Sequence, residues 1–252
     1  MKFGFVVPWG DATDVGDLAA AAEEAGWDGL FVWEPVWGVD AWVSLGLAAV
    51  RTSKIRLGTM LTPPSRRRPW ELASQVATVD RVSTGRVTLS VGLGATNSGF
   101  ETFGEECDRK LRAELMDEGL DIMCGLWAGQ PFEYSGTHYT VQSTEFPTLG
   151  NTVQQPRVPI WCVGALGRPK SMERAMRWDG VIPQVLDPDV EGGARVGGGQ
   201  GGAEPRWRVA VASARHGHCE YGNTPFSRQA KAYLPDGVMC GEHGPASLRA
   251  RW

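Results

Sequence analysis

Apolar positions in the first 190 residues fall into short blocks that switch between a strand-like and a helix-like period. Residues 3–7 are a brief apolar run ending at Pro8, which predicts a buried strand. Over 14–26, Val15, Leu18, Ala19, Ala22 and Ala25 recur at helical spacing, and Gly26 supplies a stop. The alternation continues with strands at 30–33, 55–61 and 86–91 and helices at 41–50 and 69–83. Pro69 stands at the favoured first position of that last helix. An amphipathic helix over 108–127 carries Leu111, Leu115, Leu120, Met123 and Trp127 near one stripe. Residues 132–141 alternate around Ser135-Gly136 and predict a hairpin laid outside the main sheet. A strand at 158–163, a helix at 169–178 and a sixth strand at 180–182 follow. Repeated βα units imply a parallel sheet covered by its crossover helices. Doubly wound and barrel folds share this pattern, and periodicity does not choose between them.

The pattern fails near Asp189. Over 191–252, 12 of 62 residues are glycine, and three of the four histidines lie there. The preceding residues carry 17 basic and 24 acidic side chains, whereas this tail carries 8 and 5. Only 207–212 alternates like a strand. Loss of period together with a charge reversal suggests a shifted coding frame; a flexible extension is the alternative. The chain is thus divided into a domain at 1–190, with an insertion at 100–157, and an atypical Gly-rich tail at 191–252.

Composition narrows the function. A hydrophobic fraction of 42% in 252 residues suits one large domain with a sizeable core. A net charge of −4 gives no reason to expect nucleic acid or an acidic membrane surface. No leader-like start and no run of bilayer length is present in the sequence. Cys107, Cys124, Cys162, Cys219 and Cys240 are scattered and form no CxxC pair, so free thiols in a cytoplasmic protein are expected and a zinc site is not.

Several segments, in order, carry a family resemblance. They are Ala25-Gly26-Trp27-Asp28-Gly29-Leu30, Arg51-Thr52-Ser53-Lys54-Ile55-Arg56-Leu57-Gly58-Thr59, Asp80-Arg81-Val82-Ser83-Thr84-Gly85-Arg86-Val87 and Val91-Gly92-Leu93-Gly94. Phe103-Gly104-Glu105-Glu106, the 134–139 hairpin, Pro159-Ile160-Trp161, Gly164 and Trp178-Asp179-Gly180 complete the series. Together they resemble the luciferase-like monooxygenases and their deazaflavin-dependent relatives, from Met1 to about Pro183. The resemblance implies a TIM (β/α)8-type barrel, here incomplete at its C-terminal end because only six strands are legible before the tail. It also implies FMN (reduced flavin) or a coenzyme F420-type deazaflavin, a small-molecule substrate, and compatibility with a homodimer.

Barrel enzymes place chemistry at the C-terminal ends of their strands. Those ends offer Trp9, Glu34, Thr59, Met60, Leu61, Gly92, Gly94, Gly164, Ala165 and Gly167. Gly92 and Gly94 let backbone approach a flat ring closely; a plain strand-to-helix turn is the alternative. On the ring-packing reading, Gly94→Val weakens cofactor binding and spares the fold. The segment Gly164-Ala165-Leu166-Gly167 ends a strand and opens a helix whose first N–H groups attract phosphate, with Arg168 or Lys170 adding charge; bland capping by small residues is the alternative, and the resemblance implies the phosphate role. Met60-Leu61 lies where deazaflavin-dependent relatives have a non-prolyl cis peptide; a regular trans strand is the alternative. Glu34 sits where some dehydrogenase relatives have an acidic residue followed by histidine, but Pro35 follows here, which argues against a sugar-phosphate dehydrogenase mechanism. Glu34 either orients a substrate or water, as the candidate catalytic residue, or caps its loop. Trp9 and Trp37 are candidate walls of an apolar substrate pocket; Trp33 and Trp42 suit core packing. Arg66-Arg67-Arg68 reads as a solvated loop or an anion contact, and His138 as structural.

These readings favour a flavin-dependent monooxygenase, with deazaflavin-dependent hydride transfer second. The rival of another class is a non-catalytic, cofactor-binding remnant, since six strands do not close an eight-stranded barrel.

Overall fold

Helix starts and strand ends are set by identifiable side chains. The computed structural model describes residues 2–7, 10–145, 151–186 and 194–196. Strand β1 (Gly4–Val7) leads to α1 (Ala12–Glu24), whose start is fixed by a capping box between Asp11 and Asp14. The box places the helix start before residue 14, because the Asp11 side chain accepts the Thr13 N–H and Asp14 reaches back to the Asp11 N–H. Next come β2 (Gly29–Val32), α2 (Ala41–Arg51, capped by Asp40), β3 (Arg56–Thr59) and α3 (Pro69–Val82). Strand β4 (Val87–Val91) precedes a short α4 (Phe100–Phe103) and the long α5 (Arg109–Ala128). The expected hairpin is present as β5 (Phe132–Ser135) and β6 (Thr140–Thr144), a separate antiparallel pair. It is pinned to α5 by the Glu118 carboxylate, which accepts the N–H groups of Thr137, His138 and Tyr139. His138 also bonds Glu114 at 3.1 Å, which gives it the structural role expected.

Strand β7 (Ile160–Ala165), α6 (Pro169–Ala175) and β8 (Gly180–Leu186) follow, and then β9 (Ala194–Val196). The main sheet runs β1-β2-β3-β4-β7-β8-β9, parallel through β8. Three expectations change. Strand β8 continues through Pro183 to Leu186, helix α6 stops at Ala175 instead of residue 178, and β9 pairs antiparallel with β8 inside the segment read as aperiodic. Strand pairing uses backbone groups, so a three-residue partner leaves no hydrophobic period to read. The remainder of the tail, including 207–212, lies outside the described residues.

The fold is an α/β barrel type, represented among the described residues by six parallel strands and a seventh, antiparallel one that do not close into a ring. Leu30, Leu57, Leu89 and Ile160 point to the helices and are fully buried with Leu45, Leu72 and Leu120. Burying each such side chain contributes roughly 1.5–3 kcal/mol. The concave side holds Val6, Phe31, Trp161 and Ile182, with the Phe31 and Trp161 rings stacked 5.5 Å apart. Phe31 lies so low over its neighbours that a Cβ added at Gly4 or Gly29 would come within 2.9 or 3.0 Å of its ring. At Gly58 an added Cβ would meet both that ring and the Thr88 carbonyl.

At the opposite, N-terminal end of the strands, charged side chains bind backbone. Arg86 donates to the carbonyls of Ala49, Thr52, Ile55 and Ser83, and burial lowers its pKa. Glu23 accepts the N–H groups of Ser53, Lys54 and Ile55. This end supplies shape and stability rather than chemistry.

Candidate active site

The C-terminal tips of β2, β3 and β4 are joined by one buried polar array. Glu34, just past β2, is 4% exposed. Its Oε1 accepts from Arg67 Nε at 3.0 Å and lies 2.9 Å from Arg67 Nη2, while its Oε2 accepts from Thr62 Oγ1 at 2.6 Å. The Thr62 and Thr59 oxygens are 2.9 Å apart, and Thr59 Oγ1 is 3.3 Å from the Ser90 carbonyl. Backbone bonds from Thr62 N–H to Ser90 O (2.9 Å) and from Gly92 N–H to Thr62 O (3.3 Å) tie β3 to β4. A buried carboxylate costs several kcal/mol unless it is paired and hydrogen-bonded, and here both oxygens are engaged. Glu34 is therefore built to hold neighbours in place.

Beside this array the Met60–Leu61 peptide is cis, at the position expected from the resemblance. Leu61 and Val163 fill the space before Gly92, where an added Cβ would come within 2.9 and 3.1 Å of them. Gly94 has φ +74°, and its Cβ would lie 2.7 Å from the buried Phe100 ring and 3.0 Å from Pro63. Packing inside the protein thus favours glycine at both positions and weighs against the expectation that Gly94→Val spares the fold. Arg112 locks the same turn by donating to the carbonyls of Leu93 and Gly94, and burial lowers its pKa. Phe100 lies under two guanidinium groups, Arg66 at 5.4 Å and Arg112 at 5.6 Å.

A cleft of about 600 Å³ opens over Glu34, lined by Trp37, Arg66, Arg67, Arg68, Glu105 and Tyr139 among others. A second of about 400 Å³ adjoins it, lined by Val7, Val32, Trp33, Trp37 and Phe103 among others. Trp37, 83% exposed, stands at the mouth of both, while Trp9 lies outside the described residues. The arginine run is not a plain solvated loop: Arg67 pairs with Glu34, and Arg66 donates to the Pro35 carbonyl and faces Glu105 at 3.6 Å. Arg68 is exposed. The pairings of Thr62, Arg67 and Arg112 escape a reading by sequence because their partners are 28, 33 and 18–19 residues away.

The next rim segment is built differently. Gly164 lets α6 approach, since a Cβ there would meet Met172 at 2.7 Å and Ala175 and Val181 at 3.2 Å. The N–H groups of Ala165, Leu166 and Arg168 are donated to Ser171 Oγ, Gln184 O and Ala165 O. Among the described residues, those of Gly167 and Lys170 have no such acceptor, and both residues are exposed. Ser90 pairs in register with Trp161 and so faces the concave side with it; its buried Oγ has no partner among the described residues. A polar atom left without a partner on the concave face, with spare N–H groups on the adjoining loop, fits a flat ring bearing a phosphate tail. Thiol chemistry does not fit: burial pushes Cys162 up to about 12 and Cys124 up to about 11.

A family model described as luciferase-like monooxygenase matches residues 1–217. The chain belongs to this family. Among its relatives, a putative coenzyme F420-dependent oxidoreductase of Mycobacterium tuberculosis is 32% identical over 186 residues, 70% of this chain and 52% of that protein. An F420-dependent glucose-6-phosphate dehydrogenase of Microbacterium testaceum is 32% identical over 160 residues, 60% and 46% of the two chains. Among solved structures, monooxygenase RslO1 from Streptomyces bottropensis superposes with a TM-score of 0.63 at 26% identity, covering 76% of this chain and 61% of that one. The chain spans about half the length of the curated relatives it matches.

Proposed function

We propose that this luciferase-like chain is an oxidoreductase that holds a deazaflavin against the tips of β3, β4 and β7. The observation that carries the reading is the rigid Glu34–Thr62–Arg67 array beside an unpartnered Ser90 hydroxyl on the concave face. Two relatives above 30% identity, both named as F420-dependent, support placing the deazaflavin ahead of FMN. When bound, such a cofactor supplies hydride transfer, and a reduced flavin in its place would add oxygen activation. The residues of this chain bind, orient and exclude water. Met60, Leu61 and Val163 form the apolar wall for the ring, and Ser90 Oγ offers it one hydrogen bond. Gly167 and Lys170 offer N–H groups to its phosphate. Glu34, with both oxygens occupied, keeps the platform in register and faces a small organic substrate in the cleft beneath Trp37. Arg68 adds positive charge to the same cleft.

Titration of the purified chain with F420 and with FMN, followed by tryptophan fluorescence, tests the reading. Saturable quenching, tighter for F420, is expected; absence of binding by both overturns it. Glu34→Gln is expected to lower kcat more than cofactor affinity. A second reading, a cofactor-binding remnant, is favoured by the open sheet of the described residues. Binding with no substrate-dependent change in cofactor absorbance would support it.

A further inference from the structure

The two clefts beside Glu34 share one wall and differ in chemistry. Pro35, Val36, Trp37, Gly38, Val39 and Ala41, from the loop after β2 and the start of α2, line both. On one side of that wall the larger cleft carries Arg66, Arg67 and Arg68. On the other, the smaller cleft carries Val7, Val15, Val32, Trp33 and Phe103, and none of its described lining residues is charged. A ligand occupying both clefts therefore has one polar end and one apolar end.

Arg66 sets the sign of the polar end. Its side chain is 8% exposed, and its Nη2 donates to the Pro35 carbonyl at 3.2 Å. Its Nε is buried with no hydrogen-bond partner among the described residues, because the carboxylate that it faces, Glu105, stands 3.6 Å away. Ser65 Oγ, in the same lining, is also buried with no such partner. A guanidinium so far from water is costly unless an anion bonds it closely. The other carboxylates of the lining are engaged or peripheral. Glu34 has both oxygens occupied, Asp40 Oδ1 caps α2, and Glu71 is exposed. Glu34, Asp40, Glu71 and Glu105 outnumber the three arginines, so the cleft has no excess positive charge to hold a dianion such as a phosphate monoester. One carboxylate from a ligand, taking the place of Glu105 against Arg66, fits both the charge and the spare donors.

We infer that the paired cleft takes a monocarboxylate with an apolar body, and that this is the substrate class of the site. The carboxylate sits on Arg66 and Ser65, and the body lies in the chamber lined by Trp33 and Phe103. Calling the ligand a substrate rests on the oxidoreductase reading; its binding does not. The test is isothermal titration calorimetry of the full chain, without cofactor, against hexanoate, octanoate, octan-1-ol and octyl phosphate. Affinity is expected to rise about fourfold per added methylene from hexanoate to octanoate. Octanoate is expected to bind at least about tenfold more tightly than octan-1-ol or octyl phosphate. Arg66→Met should abolish the preference over octan-1-ol and keep the chain-length dependence. Because Arg66 also packs over Phe100, a second variant is needed at a partly exposed side chain. Glu105→Gln removes the competing carboxylate and should tighten octanoate about fivefold, with octan-1-ol unchanged. Equal affinities for octanoate and octan-1-ol, tighter binding of octyl phosphate, or no binding of any of the four overturns the proposal. An octanoate affinity unmoved by Glu105→Gln overturns the placement of the carboxylate. Octanoate binding by a chain that takes up neither F420 nor FMN would support this site while removing the oxidoreductase reading, so the two fail separately.

Discussion

The two halves of the strand-tip rim are built on opposite principles. At the tips of β2 to β4, hydrogen bonds among Glu34, Thr62 and Arg67 leave little over, and side chains fill the spaces before Gly92 and Gly94. At the tip of β7, a loop and the seven-residue helix that follows it retain exposed N–H groups, at Gly167 in the loop and at Lys170 in the first turn. The first half engages the Glu34 carboxylate fully and leaves Ser90 Oγ as a buried exception; the second leaves its spare donors exposed. Glycines on both sides look alike in sequence, yet Gly94 and Gly164 are held by packing, whereas Gly167 has nothing within 4 Å of a would-be Cβ.

The contrast is most easily broken at the closed half. Arg67→Ala leaves the Glu34 carboxylate buried with one partner and is expected to cost ~3–5 kcal/mol in a denaturant melt. Glu34→Met/Arg67→Met should recover most of that loss, and a double variant as unstable as the single one would contradict the pairing. Gly94→Val combines an unfavourable φ with overlap onto Phe100 and should cost about 3 kcal/mol; a melt like that of the parent would return this turn to the cofactor.

A smaller effect is expected away from both halves, at Glu23. Burial pushes its pKa up, but the N–H groups of Ile55, Lys54 and Ser53 and the Ser53 hydroxyl outweigh that and lower it from 4.5 to about 2. A depressed pKa stabilises the fold fully above 4.5 and loses that contribution as pH falls through about 2. Glu23→Gln should therefore melt earlier than the parent at neutral pH, with the gap closing below about pH 4. A gap that does not depend on pH would assign the loss to packing.

The smallest change belongs to the open half. Lys170→Ala should leave the melt unaltered and weaken F420 binding about two- to fivefold, the scale of one charge near a helix start. Loss of stability there, with affinity intact, would erase the distinction between the halves.

Much of the fold was legible because it is periodic. Six parallel strands and their helices follow from apolar spacing, with ends displaced by a few residues where caps such as Asp11 or a proline such as Pro183 govern. Strand β9 was not legible, since its pairing with β8 is made by backbone. At the site, Glu34 and the Met60–Leu61 cis peptide could be anticipated by position, and Arg67 was flagged only as part of a basic run. Burial of Glu34 and its bond to Thr62 depend on how β2 and β3 end in space. The reasons for Gly92, Gly94 and Gly164 are the side chains opposite them, and one-dimensional spacing carries no such information.

The low ring of Phe31 has a consequence for how this barrel can change by mutation. Gly4 and Gly29 are neighbours in register, and both are held small by that one ring. Neither is free to drift while Phe31 stays, so single-site libraries would score both as intolerant of alanine. Replacing Phe31 by leucine first should make alanine acceptable at 4 and 29, an order-dependent path through sequence space. Gly58 should stay closed along that path, because the Thr88 carbonyl also blocks it and backbone does not shrink.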